Sequence, residues 1–144
     1  MRASRARARR RPGGAVQAAA ALAALALTAA VARAEPPVAD GRWPVADPAA
    51  ARAMLDRLRG HHVGWHDGAL DIVDVAGAGR PWVGVVERRG DALWLVGATF
   101  AWRLRGPLAR PRLAGPGYVV WAIGPLAARD LRVTRLGVLA PPAR

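Results

Sequence analysis

The feature that most constrains this chain is a series of short apolar runs between residues 81 and 139. Each run is about five to ten residues long, is rich in Val, Leu and Trp, and ends near a Gly or Pro. Runs of this length and composition, separated by turn residues, are typical of β-strands. The sequence therefore predicts a mainly β fold, and its 144 residues are enough for one domain.

The composition argues against most enzymatic chemistry. The chain has no cysteine, which excludes disulfides and thiolate metal sites. Lysine is absent and the only serine is Ser4, so the common nucleophiles are missing beyond residue 34. We therefore expect a protein that is not an enzyme. A small hydrolase that uses the acidic residues Asp67, Asp71 and Asp74 is a third alternative.

Residues 1–34 have the pattern of a signal peptide for export. Six arginines and no acidic residue lie in 2–11, an alanine-rich apolar run follows over 15–32, and Ala32-Arg33-Ala34 is a small-x-small cleavage site. A retained membrane anchor is the alternative, although the run is near the lower length limit for a span. We expect cleavage, a periplasmic or secreted location, and no transmembrane span in the processed chain.

The positive charge is concentrated in the segment that we expect to be removed. The whole chain has a formal net charge of +12, and all 22 of its basic residues are arginine. Seven of these arginines and none of the ten acidic residues lie in 1–34, which leaves a net charge of +5. A GC-rich genome explains the arginine bias without any function, so the arginine count alone does not indicate a nucleic-acid partner.

After the signal peptide, the sequence predicts an extended leader over 35–46, a single β-rich domain over 47–140 and a frayed tail over 141–144. The domain begins with an amphipathic helix over 47–59, in which Asp47 is suited to cap the first turn. Its apolar face consists of Ala51, Met54, Leu55 and Leu58. A hairpin follows over 61–75, with Asp67-Gly68 as a two-residue turn.

The order of strands from Trp82 to Leu139 resembles that of the OB-fold. A glycine-bearing first strand, a tight turn, a second and a third strand, and a longer connection lead to a hairpin with halves Val120 to Leu126 and Asp130 to Leu136. The helix that usually joins the third and fourth strands of this fold is not evident. The resemblance implies a small OB-like β-barrel, a fold that some bacterial periplasmic proteins carry.

Arginines beside aromatic residues on the predicted strands form the leading candidate site. OB-type nucleic-acid binders use such surfaces, with cations for phosphates and rings for bases. Nucleic acid is not expected outside the cytoplasm, so we expect an envelope protein or an anionic ligand, such as a glycan or a lipid headgroup. The alternative is a solvated sheet face with the tryptophans in the core. The candidate ligand-binding residues are Arg88, Arg89, Arg103, Arg105, Trp102 and Tyr118.

The three histidines of the chain suggest a different class of function. His61, His62 and His66 lie close in sequence, and neutral imidazoles are common ligands of zinc and copper. The second hypothesis is therefore a periplasmic protein that handles zinc, copper or haem. On a regular strand His62 and His66 would be about 13 Å apart, so one metal ion requires a bend at Gly64. Otherwise these histidines are polar residues of an exposed turn, and the leading hypothesis needs no cofactor.

Overall fold

The structure is a computed structural model that describes residues 37–144. The predicted signal peptide and the first two residues of the predicted leader lie outside the described residues. Within 37–144, no helix has the length and the apolar character that crossing a membrane requires.

The described chain is mainly β, as the sequence predicts, with one short helix. The helix, α1, spans Pro48–Arg57. The strands are β1 (Arg42–Pro44), β2 (His62–His66), β3 (Ala69–Asp74), β4 (Trp82–Arg89), β5 (Ala92–Val96), β6 (Ala101–Arg105), β7 (Val119–Ile123), β8 (Leu126–Ala127), β9 (Asp130–Arg132) and β10 (Arg135–Ala140). No strand or helix occupies 106–118, which contains three prolines and corresponds to the longer connection after the third predicted strand.

Seven strands form the main sheet, in the order β10-β7-β4-β5-β6-β9-β8. Neighbouring strands are antiparallel except β6 and β9, which run parallel with Leu104 opposite Leu131. The chain from the end of β6 to the start of β9 must therefore return along the sheet before it pairs. That return places the turn before β9 beside the start of β6, where the amide of Arg103 donates to the carbonyl of Arg129 at 2.7 Å.

The segment between β9 and β10 hydrogen-bonds to two strands that are not neighbours in this sheet, β6 and β7. Val133 donates its amide to the carbonyl of Arg105, at the end of β6, with a distance of 2.9 Å. Its neighbour Thr134 donates to the carbonyl of Ile123, at the end of β7, with a distance of 2.8 Å. Two consecutive residues thus hydrogen-bond to strands that lie three positions apart in the sheet.

A smaller sheet, in the order β1-β3-β2, covers part of the main one together with α1. The turn between β2 and β3 has positive φ at both Asp67 (53°) and Gly68 (68°), as a two-residue hairpin loop with the twist of its strands requires. Strand β1 lies within the predicted leader and pairs Arg42 with Asp71, so the end of the leader belongs to the folded unit.

Two apolar clusters lie on opposite faces of the main sheet. Trp82, Leu95 and Leu131 belong to the first, whereas Val83 and Leu139 belong to the second with residues of α1 and β3. Successive residues of a strand point to opposite faces, which explains why adjacent Trp82 and Val83 enter different clusters. The face of the main sheet that contacts the first cluster is called the inner face below, and the opposite face is called the outer face.

Helix α1 begins with a side-chain cap and packs its apolar face into the second cluster. The carboxylate of Asp47 accepts hydrogen bonds from the amides of Ala49 and Ala50 at 3.2 and 3.0 Å. These bonds satisfy two amides that have no partner within the helix. Near the other end, Arg57 donates through Nη1 to the carbonyl of Leu139 in β10, which connects the helix directly to the main sheet.

Candidate functional site

Three charged residues and one tryptophan form a row across β4, β5, β6 and β9 on the outer face of the main sheet. Glu87 is opposite Trp94, Trp94 is opposite Arg103, and Arg103 is opposite Asp130. Directly opposed residues of paired strands lie within contact distance, so this face presents charges and an indole ring side by side. Two concave regions adjoin the row, and both are lined by arginine.

The larger concave region, the aromatic groove, has a volume of about 610 Å³. That size is within the range of about 300–1,000 Å³ that is typical of small-molecule sites. Its lining combines cationic, aromatic and small residues from three parts of the chain. The lining residues are Arg89, Trp94, Thr99, Phe100, Ala101, Trp102, Ala128 and Arg129.

Arg89 is held in place at one side of the aromatic groove. Its guanidinium carbon lies 5.2 Å from the centre of the Trp94 ring, a distance at which a cation is attracted to the face of the ring. Its Nη2 and Nε donate to Oε2 of Glu87 at 2.9 and 3.2 Å. A guanidinium with two such contacts loses less freedom when a ligand binds, because its side chain is already partly ordered.

Three aromatic rings stabilise the wall of the aromatic groove. Phe100 is stacked on Trp102, with ring centres 5.6 Å apart and planes within 14°. Trp82 meets both rings nearly edge-on, at 4.9 and 5.3 Å, and its own side chain is buried in the first cluster. The Nε1 atom of Trp102 is buried and has no hydrogen-bond partner within residues 37–144. Phe100 and Trp102 are thus connected to the first cluster, on the face of the sheet opposite to that of Trp94.

The smaller concave region, the arginine cavity, has a volume of about 250 Å³. It lies where β4 ends and β5 begins, next to the loop after β6. Its lining residues are Arg88, Asp91, Ala92, Leu93, Arg103, Leu104, Arg105, Ala109 and Pro111. Arg105 donates through Nε to Asp130 at 3.3 Å, and Nε of Arg103 is buried with no hydrogen-bond partner in the described part of the chain.

The six predicted ligand-binding residues are divided between these regions. Arg89 and Trp102 line the aromatic groove. Arg88, Arg103 and Arg105 line the arginine cavity. Tyr118 lines neither region; it is partly buried against the first cluster, and its carbonyl accepts the amide of Val86 at 2.9 Å.

Sequence reasoning counts Trp94 among the aromatic residues beside the arginines, but it does not select Phe100 or Arg129 for the site. Phe100 was identifiable, because it lies beside Trp102 on the predicted third strand. Arg129 carries no local signal, since it reaches the groove only through the parallel pairing of β9 with β6.

The three histidines lie at the two ends of β2. His61 and His62 are at its start, where the His61 ring meets Trp121 edge-on at 6.3 Å, and His66 is its last residue. Within residues 37–144, no group of three or more His, Cys, Asp or Glu side chains is arranged to hold a metal ion. A zinc, copper or haem site on these histidines stays a prediction.

Asp74 faces His62 across the β2–β3 pair. Its carboxylate accepts the amides of Gly77 and Gly79, both at 2.7 Å. These two hydrogen bonds, followed by the positive charges of His62 and His61, lower the pKa of Asp74 below its ordinary value. The carboxylate therefore has a structural task in the loop after β3.

Comparisons of the chain with protein families, with curated proteins and with solved structures found no match. The functional assignment consequently depends on the geometry of this chain's own residues.

Proposed function

We propose that the protein is an exported, non-enzymatic binding module that holds an anionic ligand on the β5–β6 face of its main sheet. The observation that carries this proposal is the aromatic groove, whose lining includes Arg89 and Arg129 together with Trp94, Phe100 and Trp102. Arginine supplies charge-assisted hydrogen bonds to carboxylate, sulfate or phosphate groups. The ring faces supply apolar contact area with little loss of side-chain freedom.

The charge balance of the groove favours a negatively charged ligand. Arg129 is exposed and forms no ion pair within residues 37–144, whereas Arg89 is paired with Glu87. No acidic side chain lines the groove itself. Since the sequence predicts export, an anionic glycan or the acidic surface of an envelope protein fits better than nucleic acid. We favour the glycan, because sugar rings stack on aromatic faces while their acidic groups pair with arginine.

The proposal includes closure of the main sheet into an OB-like barrel. It is supported by the hydrogen bonds of Val133 and Thr134, which join the chain between β9 and β10 to both β6 and β7. In this barrel β4 is the first strand, and β5 and β6 are the second and third. OB-folds bind oligosaccharides and oligonucleotides on the face of their second and third strands, which is where the aromatic groove lies.

The test uses an immobilised acidic polysaccharide, heparin, and the processed chain without a purification tag. We expect binding that weakens as salt increases, and Arg129→Glu should elute at clearly lower salt than the native protein. Arg52→Glu is the matched control, since Arg52 is an exposed arginine of α1 outside both concave regions. If both variants elute at equally lowered salt, heparin binding depends only on the net charge of the protein. That result would contradict a binding site in the aromatic groove.

A second arm distinguishes a protein ligand from a glycan. An envelope extract is passed over the immobilised protein before and after treatment with a protease. Salt-sensitive capture that the protease abolishes, and that Arg129→Glu but not Arg52→Glu weakens, would indicate the acidic surface of an envelope protein. The absence of selective binding in both arms would disprove the proposed function.

A further inference from the structure

We infer that the arginine cavity binds a single tetrahedral oxyanion group, a phosphate or a sulfate. This inference deepens the proposed function, since it rests on the same arginine-bearing sheet, and it gives a ligand chemistry to the smaller of its two concave regions. The cavity lies at the end of β4, beside the loop 106–118, and shares no lining residue with the aromatic groove.

The residues that line the arginine cavity have a net positive charge. Three arginines, Arg88, Arg103 and Arg105, are among its lining residues together with one acidic residue, Asp91. Arg105 forms an ion pair with Asp130, whereas Arg88 and Arg103 form no ion pair within residues 37–144. The excess of positive charge favours an anion over a neutral ligand of the same size.

Arg103, a lining residue of the cavity, has a nitrogen donor that forms no hydrogen bond within residues 37–144. Its Nε atom is buried without a hydrogen-bond partner in the described part of the chain, and its side chain is only partly exposed. A buried donor that remains unpaired destabilises the folded protein, and the penalty is larger for a charged group. An oxyanion in the cavity supplies acceptors for a guanidinium, which suits planar, two-point recognition of such groups.

The size and the apolar wall of the cavity suit a single small anionic group. At about 250 Å³ it is below the usual range of about 300–1,000 Å³ for whole small molecules, so it accommodates one compact group. Leu93 and Leu104, which are buried, together with Ala109 form its apolar wall. Apolar surroundings reduce the local screening and strengthen the attraction between an anion and the arginines.

The test is a calorimetric titration with inorganic phosphate and, separately, with sulfate at constant ionic strength set by chloride. We expect one saturable site per chain. Arg88→Gln should weaken it about tenfold or more, because a charge-assisted hydrogen bond is lost. Arg88 is exposed, so this variant should fold normally. Arg52→Gln removes an equal charge from α1 and should bind like the native protein.

Two further arms identify the source of the group. Glycerol 3-phosphate represents a soluble phosphate ester, and vesicles that contain phosphatidylglycerol represent a lipid headgroup. Saturable binding of either one that Arg88→Gln weakens supports the inference and names the source. The inference is overturned if neither phosphate nor sulfate binds beyond the effect of chloride, or if Arg52→Gln weakens binding as much as Arg88→Gln.

The outcome is separable from that of the proposed function. Arg129→Glu changes the aromatic groove and should leave the binding of phosphate unchanged. If phosphate binding fails while heparin binding still depends on Arg129, the inference about the cavity falls and the proposed function stands. If phosphate binds through Arg88 while no selective ligand of the groove is found, the inference about the arginine cavity is supported and the proposed function is disproved.

Discussion

The backbone of Gly124 lies directly against the carbonyl group of Arg132. A Cβ atom added at position 124 would overlap the carbonyl oxygen of Arg132, which is part of the main chain and cannot rotate away. On the other side of this contact, the carbonyl of Ile123 accepts both the amide and the hydroxyl of Thr134, at 2.8 and 3.0 Å. The ends of β7 and β9 therefore meet through close backbone contact, to which the Thr134 hydroxyl adds one hydrogen bond.

Gly124→Ala should lower the free energy of unfolding by about 1–3 kcal/mol or more, because the backbone must move to admit the methyl group. Chemical denaturation measures this change. Gly64→Ala is the control, since the nearest atom to a Cβ at position 64 is Nδ1 of His66 at an ordinary 3.7 Å. A loss at Gly124 no larger than that at Gly64 would show that the two strand ends are not in close contact.

The amides of Val133 and Thr134 should exchange with deuterium as slowly as those of the central strands. Both donate to carbonyl groups of other strands, Val133 to Arg105 and Thr134 to Ile123, so their exchange requires the sheet to open. Exchange measured by NMR tests this directly. Fast exchange at Val133 with slow exchange at Thr134 would indicate that β9 separates from β6 and would contradict a closed barrel.

Asp74→Asn should destabilise the protein at neutral pH and much less in acid. The carboxylate accepts the amides of Gly77 and Gly79 with its two oxygens, and a carboxamide has only one acceptor oxygen. Because the pKa of Asp74 is lowered in the folded state, its contribution is present above the ordinary pKa of about 3.9 and is lost as the pH falls through the folded value.

Melting temperatures from pH 7 down to acid check this dependence on pH. The difference between native protein and Asp74→Asn should shrink below the ordinary aspartate pKa. Asp56→Asn is the control, because Asp56 makes only an exposed ion pair with Arg59. A difference for Asp74→Asn that is independent of pH would mean that the ionised carboxylate does not stabilise the loop.

Arg57→Met should destabilise the protein by about 1 kcal/mol or more, whereas Arg59→Met should change stability little. Arg57 donates to the carbonyl of Leu139 in β10, and hydrogen bonds to charged groups contribute about 1.5–3 kcal/mol. Arg59 pairs with Asp56 in solvent, where such pairs contribute about 1 kcal/mol or less. Equal denaturation midpoints for the two variants would contradict a link between α1 and the main sheet.

Protein purified without a histidine tag should contain metal well below one ion per chain, and His66→Ala should not change that amount. The reason is the geometry of β2, which separates His66 from His61 and His62 along the strand. Elemental analysis after exposure to zinc or copper, followed by dialysis, provides the measurement. A stoichiometric ion that His66→Ala removes would support the metal-handling hypothesis instead.

Local patterns in the sequence predict a large part of the fold. Alternation along the strands indicates that Leu93 and Leu95 face away from Trp94, and both leucines are buried while Trp94 lies on the outer face. The same alternation puts Phe100, Trp102 and Leu104 on one face, and all three pack in the first cluster. These inferences succeed because the direction of a side chain on a strand depends only on its position in that strand.

Features that depend on pairing between distant segments could not be predicted. The parallel pairing of β6 with β9 follows from the return of the chain over 106–129, and no local pattern in that segment specifies which distant strand β9 joins. Near the C-terminus, Val138 is partly buried against the first cluster, and Leu139 is fully buried in the second. A register shift between Val138 and Ala140 then places Ala140 on the same side as Leu139, which simple alternation does not predict.

The alternation of Trp82 and Val83 ties the two apolar clusters into one cooperative unit. Each cluster depends on the same strand, so disorder on one side exposes the residues that the other side needs for its own burial. We therefore expect that melting of the helix and the small sheet also weakens β4 and the neighbouring surface that we propose for ligand recognition.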